Sequence, residues 1–167
     1  MTSPKPYDWT QFRTRIPIKA SMRDIYNAWT TREGLEKWFL RSAEFVTPDG
    51  HARSGAVQKG DQYTWRWFGY GNDAHQTGEV RESNGKDYFS FTFAGSCIVS
   101  VYIQNEADET VVQLVQSNIP TDEKSMSGIH VNCHGGWTFY LANLKSYLEG
   151  GIDLRNKNEH IKNVISS

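Results

Sequence analysis

The sequence predicts an α+β domain in which a curved antiparallel β-sheet wraps around one long C-terminal α-helix, with two short helices after the first strand. Three observations predict it. Apolar and polar residues alternate in several short runs separated by turn-forming residues, as expected of strands with one wet face. Near the C-terminus the apolar spacing changes to three and four, over the longest helical pattern in the chain, about residues 122–149. Finally, 167 residues, 38% of them apolar and 13% aromatic, suffice for one sizeable core and exclude two large domains.

Phe12, Thr14, Ile16 and Ile18 alternate with Arg13, Arg15 and Pro17, which predicts a strand, and Pro17 places it at a sheet edge or at the strand's end. Ser21 is suited to cap a helix over Met22–Trp29, whose Met22, Ile25, Tyr26 and Trp29 share one stripe. Thr31 opens a second short helix that keeps Leu35, Trp38 and Phe39 on one side and passes into a strand at Ala43–Val46. Residues Thr47–Asp61, with Pro48, Gly50, Gly55 and Gly60, read as turns and a loop.

The next strand, Gln62–Phe68, sets Tyr63, Trp65 and Trp67 on one face and Thr64, Arg66 and Phe68 on the other. Either face could be the concave one: the tryptophans would then form an apolar wall, or Arg66 would point inside and favour a carboxylate. Strands at His75–Ser83, Tyr88–Ala94, Ile98–Asn105 and Thr110–Gln116, joined by short turns such as Asn84-Gly85 and Gly95-Ser96, form an antiparallel meander.

In the final helix Met126, His130, Cys133, Trp137, Tyr140, Leu141, Leu144 and Leu148 recur on one face, and Gly150-Gly151 supplies the stop. Gly128, Gly135 and Gly136 each weaken that helix by about 1 kcal/mol relative to Ala, so a close backbone contact or room for a ligand is expected there. The domain spans 10–155, preceded by an arm at 1–9 and followed by a polar, frayed tail at 156–167.

Charge names no partner. Eighteen Lys and Arg against nineteen Asp and Glu leave a net charge of −1, which gives no field to recruit nucleic acid or an anionic membrane. Two cysteines, Cys97 and Cys133, make no disulfide framework and no cysteine-only zinc site, which points to a cytoplasmic setting. The start lacks the apolar core of a signal peptide, and no apolar run is long enough to span a bilayer.

A bent sheet is not filled by one helix alone, so an internal cavity lined by aromatic rings is expected between them. Candidate ligand-binding residues are Trp38, Phe39, Trp65, Trp67, Phe91, His130, Cys133 and Trp137. Trp38 and Phe39 either form the cavity entrance or plug the end of the core, and Trp137 faces the sheet. His130, on the stripe of Trp137, is expected to point toward the cavity, as a donor to a ligand or as a satisfied core histidine. Cys133 reads as a small buried apolar residue more than a reactive thiol.

His130 and His134 have a spacing that could hold a metal, but no third ligand accompanies them and no Glu lies between them, so no metal or other cofactor is expected. No nucleophile elbow occurs and the carboxylates cluster at turns, so no catalytic residue is assigned.

In this order the chain resembles the START-like superfamily, also called SRPBCC or Bet v-like, and within it proteins similar to the activator of heat-shock protein ninety ATPase. The resemblance rests on the run Ile16–Thr31, on Gly34-Leu35-Glu36-Lys37-Trp38-Phe39, and on Gly136-Trp137 followed by Leu141–Gly150. It covers about residues 10–155 and implies helix-grip topology. It also implies a carrier or sensor of apolar ligands, a cyclase or hydrolase of aromatic substrates, or a co-chaperone module. The chain is therefore expected to bind a small, largely apolar molecule between sheet and terminal helix, as a binding protein more than an enzyme. The alternatives are a protein-interaction or co-chaperone-like module, which contacts a chaperone or a second copy, and a polyketide cyclase-like or hydrolase enzyme. Homodimerisation could use an edge strand, such as the one carrying Pro17.

Overall fold

The computed structural model describes residues 2–165; Met1 of the expected arm and Ser166 and Ser167 of the expected tail lie outside the described residues. Seven strands form one antiparallel sheet: β1 (Phe12–Pro17), β2 (Ser42–Val46), β3 (Gln62–Arg66), β4 (Gln76–Ser83), β5 (Tyr88–Phe93), β6 (Cys97–Glu106) and β7 (Glu109–Ser117). Their spatial order is β1-β7-β6-β5-β4-β3-β2, so β1, with Pro17, and β2 are the edges. Helices α1 (Met22–Thr30) and α2 (Arg32–Trp38) close the end of the sheet between them.

Local chemistry explains the helix pair. Ser21 Oγ accepts from the Asp24 amide at 3.0 Å and starts α1. Thr31 then serves both helices: its own N–H bonds back to the Asn27 carbonyl, while its Oγ1 accepts from the Gly34 amide at 3.0 Å. Gly34 is required for this turn, since a Cβ there would sit 2.5 Å from the Asn27 carbonyl oxygen and 2.8 Å from Ala28 Cα.

The C-terminal helix runs over residues 123–148, but not as one regular α-helix. A first turn, α3 (Glu123–Ser125), leads into a π-helical segment, Met126–Val131, and then into α4 (Asn132–Leu148). The underwound segment changes the helical phase, a feature invisible to three-and-four spacing.

The core lies between the concave face of the sheet and α4. Tyr63, Trp65, Phe89, Phe91, Val99 and Leu114 from the strands meet Trp29, Leu35 and Trp38 from α1 and α2, and Trp137, Leu141 and Leu144 from α4, all buried. The tryptophan face of β3 is therefore the concave one. Arg66 faces outward, 3.0 Å from Glu44, and provides no cationic group to the interior.

Two charged groups are buried, one at the end of the expected 47–61 loop and one at the last residue of the expected domain. Asp61, fully buried, takes a two-pronged bond from Arg53 at 2.7 Å and 2.7 Å and accepts from the Gln58 amide, which pins the 47–61 loop. The Arg155 side chain, 2% exposed, donates to the carbonyls of Glu36, Lys37 and Leu40 and so caps the C-terminal end of α2. Among the described residues beyond it, Lys157 bonds Asp153 at 3.0 Å, Lys162 donates to the Gly69 carbonyl at 3.2 Å, and Ile165 reaches the side of α4.

Candidate functional site

Rings occupy most of the space expected to be an internal cavity. Trp137, at the centre of α4, has its ring centroid 5.1 Å from Phe93, 5.0 Å from Phe39 and 5.9 Å from Trp29. What remains is an open apolar cleft of about 190 Å³ at one end of the sheet. Trp67 and Phe93, at the ends of β3 and β5, form its sheet side; Asn132, Cys133, Gly136, Trp137 and Tyr140 form its helix side; Phe39 completes the lining. It opens into a shallower groove of about 560 Å³, bounded by Tyr70, Val131, Gly135 and Ile165.

Of the eight candidate residues, the structure brings Phe39, Trp67, Cys133 and Trp137 together at this cleft. Trp65 and Phe91, each 0% exposed, stand one step behind it in the core. Trp38 is a plug, not an entrance: it is fully buried, packs edge-on against Trp29 at 4.6 Å, and donates its indole N–H to the Ala28 carbonyl at 2.9 Å.

His130 is elsewhere. The π-helical segment turns it away from the cleft and under the N-terminal arm, where its ring lies 5.0 Å from Trp9, 5.4 Å from Tyr7 and 5.4 Å from Phe12. Its Nε2 is 3.1 Å from the Gln11 carbonyl and 3.2 Å from Tyr7 Oη; since a carbonyl can only accept, Nε2 carries the proton and donates. His130 is thus a satisfied core histidine that anchors the arm. His134 shares that side of the helix, stacked on Phe12 at 4.6 Å, and burial with the nearby His130 pulls its imidazole below the ordinary range.

Spacing on the sequence missed Phe93, Asn132, Gly136 and Tyr140. Phe93 is two residues beyond the candidate Phe91 on the same strand face, so on β5 the cleft lies one alternation step nearer the strand end than expected, while on β3 the candidate Trp67 lines it. The signal for Gly136 was its helix-weakening presence: a Cβ there would meet nothing within 4 Å. That is room, not a close backbone contact.

Among the described residues no charged side chain lines the cleft, and its one amide side chain is that of Asn132. Burial pushes the Cys133 thiol up, partly offset by the Gln116 amide, and pushes the Tyr140 hydroxyl up to about 12, so both stay neutral near pH 7. Trp137 donates its indole N–H to Gln116 Oε1 at 2.9 Å, which fixes its ring as one wall. The lining can bury an apolar ring, and it holds no thiolate or carboxylate to attack or deprotonate one.

Residues 19–149 match the model of a family described as activator of Hsp90 ATPase homolog 1-like protein. The chain belongs to that family. Among solved structures, a relative of this fold is the Aha1 dimer from Colwellia psychrerythraea, 26% identical, with a TM-score of 0.65 over 84% of this chain and 97% of that one. The protein SSP2350 from Staphylococcus saprophyticus is 20% identical, with a TM-score of 0.68 over 87% of this chain and 96% of that one. A protein of the dynemicin biosynthetic locus, DynU16, is 18% identical and superposes with a TM-score of 0.65 over 89% of this chain and 50% of that one. These likenesses establish the helix-grip fold for this family member. No curated protein matches the chain. Among the described residues, no helix is long and apolar enough to cross a membrane.

Proposed function

We propose that this family member binds a small, uncharged, ring-containing molecule in the cleft between α4 and the ends of β3 and β5. The observation that carries the reading is the open cleft of about 190 Å³ whose lining is aromatic and whose two titratable groups stay neutral. Its volume is below the roughly 300–1,000 Å³ of pockets for drug-sized ligands, which limits the guest to about one ring. Binding draws on apolar burial, about 25 cal/mol per Å², with Trp137 and Phe39 as rigid walls. The neutral lining favours a binding role over catalysis.

Calorimetric titration with α-methylstyrene, a single uncharged ring, tests this. The wild-type protein is expected to bind it, and Gly136→Leu, which places a side chain into open space at the cleft, is expected to abolish binding while the fold melts at or above the wild-type temperature. Absence of binding to the wild type, or equal binding by the variant, overturns the reading.

A homodimer is the second reading, favoured by the Colwellia relative, whose structure is described as a dimer. The outer side of β2 is bridged in part by Ala52 and Arg53, so the edge of β1 is the surface through which two sheets could join. Sedimentation over a concentration range distinguishes monomer from dimer.

A further inference from the structure

The cleft does not end at its rim. Trp67, Asn132, Gly136 and Tyr140 line both the cleft of about 190 Å³ and the outer groove of about 560 Å³, so the two form one continuous depression with a one-ring end and a shallower end. The helix side shows how they join. Residues four apart stand in ridges along a helix. Cys133 and Trp137, on the inner ridge, wall the cleft; Asn132, Gly136 and Tyr140 make the ridge at its mouth. Val131 and Gly135 make the next ridge out, which lines the groove and not the cleft.

Between those two outer ridges Gly135-Gly136 leaves the helix bare. Both glycines lie within α4, where each weakens the helix, and a Cβ on either would meet nothing within 4 Å. What they supply is a low pass from cleft to groove. Beyond the pass, large apolar side chains stay uncovered: Tyr70 is 52% exposed, Val131 53% and Ile165 73%. Among the described residues the groove has no charged side chain in its lining. Exposed apolar side chains gathered around a groove that continues a pocket mark a surface that a ligand covers.

We infer that the guest of the cleft is a head-and-tail molecule: one ring sits in the cleft, and an uncharged apolar chain attached to it crosses Gly135-Gly136 and lies in the outer groove against Tyr70, Val131 and Ile165. This rests on the proposed binding role of the cleft and names its ligand class, alkyl-substituted aromatics. From Gly136 back to Val131 the helix rises about 7.5 Å, the span of a short alkyl chain. A bare ring would fill the cleft and leave the groove in water. A chain ending in a charge inside the groove does not fit, because its lining has no side chain of opposite sign.

The test is calorimetric titration with n-alkylbenzenes, from ethylbenzene to pentylbenzene, beside α-methylstyrene. It compares the wild type with Gly135→Leu and Tyr70→Ala, whose positions line the groove and not the cleft. In the wild type each added methylene is expected to tighten binding about two- to fourfold, the upper value being full burial of a CH₂. In Gly135→Leu, whose side chain fills the groove, the series should be flat beyond ethylbenzene while α-methylstyrene binds as before. Tyr70→Ala, at an exposed turn, should shrink the gain per methylene, and it decides the matter if Gly135→Leu alters the melt. A flat series in the wild type, or a gain undiminished in the folded variants, overturns the inference. If α-methylstyrene binds and the series is flat, the cleft reading stands and the head-and-tail inference fails; if no probe binds, both fail.

Discussion

At the scale of single residues, Arg155 does the most for its size. Its guanidinium ties three carbonyls at the end of α2 to Asp153, and Asn143, fully buried on α4, joins the same knot through Trp38 O at 2.7 Å and the Leu154 amide at 2.8 Å. Removing one member strands the rest, so Arg155→Ala is expected to lower stability by about 3 kcal/mol. Arg155→Lys should recover only part of this, since an ammonium cannot fork to several carbonyls at once. Urea midpoints of the three proteins measure it. Burial alone would raise the Asp153 carboxyl, but hydrogen bonds from Arg155, Lys157 and Asn143 hold it well below the usual carboxylate range. Its folded value lies below its unfolded value, so its contribution is fully present above about pH 4 and fades as pH falls below that. The stability gap between wild type and Asp153→Asn should therefore be largest near neutrality and narrow in acid.

At the scale of elements, two glycines of the same composition have opposite meanings. Gly34 sits where α2 leaves α1 with no room for a Cβ, whereas Gly136 sits on α4 facing open space. Gly34→Ala is expected to cost about 1–3 kcal/mol through overpacking, and Gly136→Ala to add about 1 kcal/mol by its helix preference. Chemical denaturation of both variants checks the pair. The strands and their order of appearance were legible because a wet and a dry face impose a period of two, and the caps at Ser21 and Thr31 because their hydroxyls have one obvious use. The π-helical segment was not legible, since apolar residues keep recurring at three and four through it; the placement of His130 failed with it. Asp61 and Arg155 were illegible for another reason. Their partners, Arg53 in a loop and carbonyls of α2, are supplied by the fold and leave no spacing rule on the chain. Trp65 and Phe91 marked the right strand faces, and only depth along the strands separated them from the cleft.

At the scale of the whole molecule, the two ends of the described chain close on the terminal helix. Lys157 lies over Phe68, Lys162 bonds Gly69, and Ile165 borders the outer groove of the cleft, so the tail runs along the rim without entering the core. A protein ending after Arg155 keeps the α2 cap and is expected to melt near the wild-type temperature. It should also admit α-methylstyrene faster, as read by stopped-flow tryptophan fluorescence. Slower or weaker binding would mean that the tail is part of the site wall.

Tyr7, Trp9, His130 and Ile165 border one surface groove, although the arm and the tail are at opposite ends of the sequence. Any fusion, immobilisation handle or fluorophore attached before Tyr7 therefore joins the fold beside this groove, on the side of α4 turned away from the cleft, and Ile165 links it to the outer groove. The turn at Gly50-His51, by the far edge strand, is an attachment point off that rim, and a sensor could use one position as donor and the other as acceptor.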